Sequence, residues 1–210
     1  MIKLDKNQQL LQRQFHDLSL VLNKKPSFIA RIFNISQEID NSGLYIYSEP
    51  GRGKTMLMRK FFDEIKIPKS YFHFNEFMFQ VHQSKHKTRK GKPKKEYSNQ
   101  DLLVSLKKTI KKSKLICFDE FQVGDIADAM LLERIFTYFI ENNIYIVVTS
   151  NVEPNNLYKN GIQRDGFMKF VENQLVKKFK IVHFVSKIDY RMLHDKNIEQ
   201  RYFVKQGESE

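Results

Sequence analysis

The stretch SEPGRGKTMLMRKFF, residues 48–62, governs how the rest of the chain is read. It follows GLYIYS (residues 43–48), a run of apolar, aromatic and β-branched residues entered through Asn41-Ser42-Gly43, which predicts a short buried strand. A strand that runs into a glycine-containing loop ending Gly-Lys-Thr, with a helix starting there, gathers backbone N–H groups and the positive end of the helix around a di- or triphosphate. Ser48, Glu49, Pro50, Gly51, Arg52, Gly53, Lys54 and Thr55 are therefore the candidate nucleotide contacts. Gly51 and Gly53 let the backbone approach the phosphates, Lys54 reaches the β and γ oxygens, and the Thr55 hydroxyl is a candidate Mg²⁺ ligand. Ser48 stands where glycine is usual, which is tolerable if its backbone needs no positive φ. The competing reading is a glycine-rich turn with a chance Gly-Lys-Thr.

Working outward, YFHF (71–74), LICFD (115–119), IYIVVTS (144–150) and KIVHF (180–184) read as four further strands, each separated from the last by a helical stretch. That alternation predicts an α/β fold with a mostly parallel sheet and helices on both faces. Ahead of the first strand, DKNQQLLQRQFHDLSLVL (5–22) carries apolar residues at helical spacing and predicts an amphipathic helix. KHKTRKGKPKK (85–95) packs seven Lys/Arg and one His into eleven residues with Gly91 and Pro93, and predicts an exposed loop. A helix follows, with Ser98 or Asn99 as its N-cap. The expected organisation is an N-terminal helical segment over 1–42, a nucleotide-binding core over 43–185 and a polar tail over 186–210.

The chemistry beyond the loop is carried by two strand ends. Four apolar residues followed by Asp119 and Glu120 form a Walker B pattern, at the sheet edge where the phosphate loop lies if the strands are parallel. Asp119 would hold Mg²⁺ through water, and Glu120 would orient or deprotonate the attacking water. Asn151, after Thr149-Ser150, would sit beside the γ-phosphate and bond both phosphate and water without adding charge. Solvated carboxylates at a strand-to-helix junction and a turn asparagine are the competing readings, outweighed once the phosphate loop lies upstream.

Composition sets bounds. A net charge of +12 would suit an anionic partner, but the lysine excess over arginine, with abundant Ile and Asn, reads as compositional drift, so nucleic acid is not the expected partner. The lone Cys117 excludes an internal disulfide and points to a buried thiol in a reducing compartment, hence the cytoplasm. The N-terminus shows no targeting pattern, and no apolar run is long enough to span a membrane.

GLYIYSEPGRGKTMLMRKFF, FHFNEFM, LICFDEFQVGDIADAMLLERIF, VVTSN, LYKNGIQRDGFMKFVE and DYR occur in the order found in the ZapE-type AAA+ ATPases, bacterial cell-division proteins with mitochondrial relatives, and the chain resembles that family over about residues 5–191. The resemblance implies an AAA+ P-loop core with sheet order 5-1-4-3-2, Mg²⁺-dependent ATP hydrolysis, assembly into a homo-oligomer, and action at the bacterial division ring through an FtsZ-type protein. It also implies that Arg164 reaches the nucleotide of a neighbouring subunit and stabilises charge in transfer. Without the resemblance, Arg164 is an exposed helix-start residue. His73 and Glu76 match the family too and read as packing and helix-start residues, and Asp125 and Asp128 as acids in a first helical turn. The family continues for about a hundred further residues, a small domain, that include a helical lid. The chain ends soon after DYR, so the lid is expected to be largely absent and turnover weakened. Two other functions stay open: a nucleotide-binding adaptor or relic with little turnover, and a helicase-loader-type protein binding single-stranded DNA through 85–95.

Overall fold

The computed structural model describes residues 4–23, 41–87 and 99–185. Its strands are β1 (Gly43–Tyr47), β2 (Lys69–His73), β3 (Leu115–Asp119), β4 (Tyr145–Ser150) and β5 (Phe179–His183). They form one sheet in the order β2-β3-β4-β1-β5, with every pairing parallel. This is the expected order read from the opposite edge. The helices are α1 (Lys6–Asn23), α2 (Lys54–Glu64), α3 (Phe74–Lys87), α4 (Asn99–Ile110), α5 (Ile126–Glu141) and α6 (Arg164–Phe170), with a π-helical turn at Val171–Val176 continuing from α6.

Because side chains alternate along a strand, each strand feeds two cores. Leu44, Ile46, Cys117 and Val147 pack with Leu11 and Phe15 of α1 and Leu57, Met58 and Phe61 of α2. Tyr45, Phe118, Ile146 and Val148 pack on the other face with Phe77 of α3, Leu106 of α4 and Phe136 of α5. β3 and β4 are buried along their whole length, which is why they read as unbroken apolar runs and not as alternating ones. Phe118 sits at the centre of the second core, with the rings of Phe74, Phe77, Phe136 and Phe139 at 4.8–6.4 Å. On the first face, Phe15 stacks on Phe61 at 4.7 Å and clamps α1 to α2.

The strand entry at Gly43 is sterically determined. A Cβ there would lie 2.3 Å from the Phe179 ring and 2.5 Å from the Ile146 carbonyl oxygen, so β1 lies close to both neighbours at this point. Gly43→Ala is expected to destabilise the fold by about 1–3 kcal/mol, a drop of roughly 2–4 °C in thermal midpoint for each kcal/mol. Calorimetric melting checks it; an unchanged midpoint would mean that the strands part at no cost.

The structure shifts some sequence expectations. The second strand starts at Lys69 and ends at His73, and Phe74, read as its last residue, opens α3 with its ring fully buried. Residues 85–87 of the predicted basic loop are the last residues of α3, because apolar Phe77, Met78 and Val81 hold that helix on the sheet and it runs on past them. The rest of 85–95 lies outside the described residues, as do Ser98, 186–210 and most of 24–42. Among the described residues no helix is long and apolar enough to cross a membrane.

Candidate functional site

Parallel pairing carries the carboxyl ends of β1, β3 and β4 to one edge, with Tyr47 beside Ser150 and Phe118 beside Val148. The loop 48–53 leaves β1 there. Gly51 (φ 77°) and Gly53 (φ 91°) take left-handed conformations that a side chain would disfavour, and Gly53 leads into α2. Ser48 has no positive φ, and its N–H extends the β1–β4 ladder to the Ser150 carbonyl at 3.2 Å. The serine is accommodated, and its hydroxyl accepts from Lys54 Nζ at 2.8 Å. Arg52 pairs with Glu49 across the loop.

Lys54 is 7% exposed, and its ammonium also faces the carbonyls of Ser48 and Glu49, both at 2.9 Å, and Asn151 Oδ1 at 3.0 Å. Four neutral oxygens share three donated protons, so an anionic oxygen arriving here would compete well for the charge. Asp119, 1% exposed, is held just as firmly. Its Oδ1 accepts from Thr55 Oγ1 at 3.0 Å and from the Thr149 hydroxyl, and its Oδ2 from the Tyr71 hydroxyl at 2.7 Å. Burial and the neighbouring carboxylate push the Tyr71 phenol well above its ordinary range, keeping it a donor. Cys117 is buried, as the sequence reading expects, and burial raises its thiol.

Glu120 is exposed and left-handed (φ 56°), with its N–H directed to Asp119 Oδ1 (3.2 Å) and Thr149 Oγ1 (3.4 Å). A non-glycine residue held there costs roughly 1–3 kcal/mol, a strain that concentrates at functional sites. Glu120 lines a cavity of about 710 Å³ together with Gly53, Lys54, Thr55, Asp119 and Asn151. Pro50, Gly51 and Arg52 complete its loop side.

Thus Ser48 to Thr55, Asp119, Glu120 and Asn151 come together, while Arg164 stands apart. It opens α6, donates to the Asn155 carbonyl at 2.7 Å, and does not line this cavity. Asp125 caps α5 by accepting from the Asp128 N–H at 2.9 Å, while the Asp128 carboxylate, in the first turn, pairs with His82 of α3 at 2.7 Å. Glu76 lies in the first turn of α3. Three residues that the sequence reading missed support the site. Thr149 and Tyr71 hold Asp119, and Gln8 of α1, fully buried, donates to the Arg52 carbonyl at 3.2 Å. Thr149 had a signal, a polar residue in an apolar strand two places before Asn151. Tyr71 and Gln8 had none.

The oxygen set fits a nucleotide with Mg²⁺, a hard cation that takes one or two carboxylates together with substrate phosphates. Among the described residues no group of three or more His, Cys, Asp or Glu could hold a metal by itself.

A family model described as AFG1-like ATPase matches residues 4–209. The chain belongs to the AFG1-like ATPase family. It is 38% identical over 167 residues to lactation elevated protein 1 homolog B of Danio rerio, covering 77% of this chain and 33% of that protein. It is 33% identical over 152 residues to cell division protein ZapE of Escherichia coli K12, covering 71% of this chain and 38% of that one. The AFG1-like chain therefore spans about a third of the length of the curated relatives it matches. In fold it is similar to domain III of the Thermotoga maritima replication initiation protein DnaA, with a TM-score of 0.61 at 13% identity, covering 96% of this chain and 72% of that one. Its architecture is that of a P-loop AAA+ core.

Proposed function

We propose that this AFG1-like chain binds ATP with Mg²⁺ in the cavity lined by loop 48–55 and hydrolyses it when assembled with further copies of itself. One observation carries the reading: Lys54 is bonded to Asn151, and Thr55 to Asp119, so the two hallmarks of a phosphate loop are each tied to a strand end across a single cavity. Lys54 would meet the β and γ oxygens, and Thr55 and Asp119 would hold the metal. Mg²⁺, when bound, neutralises charge developing on the phosphate oxygens. Glu120 would take a proton from the attacking water, and Asn151 would hold that water against the γ-phosphate. Residues 43–185 are proposed as the catalytic core, with 1–42 as an attached helical segment. The name of the E. coli relative supports a role in cell division; action at the division ring through an FtsZ-type partner, in the cytoplasm, is proposed with it on the family resemblance alone.

Lys54→Ala tests the reading. Hydrogen bonds to charged groups contribute about 1.5–3 kcal/mol, so losing the ammonium is expected to weaken ATP binding about 10- to 100-fold. Titration calorimetry reads the affinity, and a melting scan confirms that the variant is folded. Unchanged affinity would remove the phosphate-loop assignment.

A further inference from the structure

We infer that Tyr71 is a positioning residue for the metal-binding carboxylate, holding Asp119 from β2 so that Oδ1 stays turned toward Thr55. The inference rests on the Mg·ATP reading above. In the β2–β3 register His73 lies beside Asp119 and Tyr71 beside Cys117, so the phenol reaches along the sheet by two residues to meet Oδ2 at 2.7 Å. The hydroxyls of Thr55 and Thr149 and the Glu120 N–H all converge on Oδ1, so the Tyr71 bond on Oδ2 opposes rotation of the carboxylate.

The tyrosine is itself braced. Its ring meets Phe62 edge-on at 5.6 Å, and the Arg59 guanidinium lies 4.8 Å above it. Arg59 is one helical turn beyond Thr55 on α2 and lines the same cavity. An arginine–ring–carboxylate chain therefore links the helix that supplies one candidate metal ligand to the strand that supplies the other. Partners of this kind orient a ligand and tune its basicity, and their loss costs roughly 10- to 100-fold in metal affinity. Tyr71→Phe would leave Oδ2 in a site almost closed to water without this donor, and would free the carboxylate to turn.

The test follows binding of a non-hydrolysable ATP analogue by calorimetry, in EDTA and across a Mg²⁺ titration, for the parent, Tyr71→Phe and Asp119→Asn. Tyr71→Phe is expected to raise the Mg²⁺ concentration needed for half-maximal tightening roughly 10-fold or more, with affinity in EDTA unchanged. A purely structural role would weaken both. If Asp119→Asn raises the Mg²⁺ requirement and Tyr71→Phe does not, the positioning role is wrong and the metal reading stands. If Asp119→Asn leaves the requirement unmoved, the metal reading itself fails, and this inference with it. Should Tyr71→Phe not fold, Arg59→Met carries the test: it removes the brace, keeps every Asp119 partner, and is expected to shift the Mg²⁺ requirement in the same direction by less. No shift there overturns the inference.

Discussion

Glu120→Gln is expected to keep ATP affinity within about twofold of the parent while turnover falls roughly 10²- to 10⁴-fold, the contribution of a positioned general base. The separation follows from what Glu120 touches. Its backbone N–H points back to Asp119 and Thr149, so the turn is held by main-chain contacts that glutamine preserves. Its side chain is exposed at the cavity and supports neither the Lys54 nor the Asp119 network. Glutamine matches glutamate in size but accepts no proton from water. Single-turnover hydrolysis, paired with calorimetric affinity, checks both halves. A variant that turned over ATP at the parent rate would take the base role from Glu120, and one that lost affinity would make the residue part of the binding site.

For Arg164→Ala the expected outcome is a loss of turnover on the order of a thousandfold or more, the range of an arginine finger, with nucleotide affinity of the isolated chain nearly unchanged. The role proposed for it lies across a subunit boundary, because it does not line the cavity of its own chain. Arg164 heads α6, leans on the Asn155 carbonyl, and lies outside the cavity that Lys54 lines in its own chain. Mixing Arg164→Ala chains with Glu120→Gln chains should restore part of the activity, because some interfaces would pair an intact Glu120 with a neighbour's intact Arg164. Arg164→Lys is not expected to rescue, since a point charge does not reproduce the planar guanidinium fork. Turnover linear in enzyme concentration down to dilutions where the chain is a monomer, or a mixture no more active than its components, would overturn the shared site. A large fall in melting temperature would instead assign Arg164 to holding the Asn155 turn.

Much of the fold was legible because it is written in local patterns. Buried parallel strands need apolar runs, and LICFD and YIVVTS are such runs, ending where the polar residues begin. The glycine-containing loop was legible for the same reason, since Gly51, Gly53, Lys54 and Thr55 belong to a single strand–loop–helix turn whose geometry is local. Boundaries were less clear where one residue suits two elements. Phe74 satisfies a strand pattern and a helix start equally, and packing against Phe118 and Phe121 decides for the helix.

By itself, then, the sequence determined the strand–helix alternation, the glycine-containing loop and the positions of Asp119, Glu120 and Asn151 at strand ends, because each follows from residues close together in the chain. Tertiary structure alone decided which of these meet. Lys54 and Asn151 are 97 residues apart and touch because β4 pairs with β1, and Tyr71 reaches Asp119, 48 residues on, because β2 lies beside β3 in one particular register. Register and strand order are chosen by how two apolar faces fill against their helices, a property of the whole core that no short stretch of the chain contains.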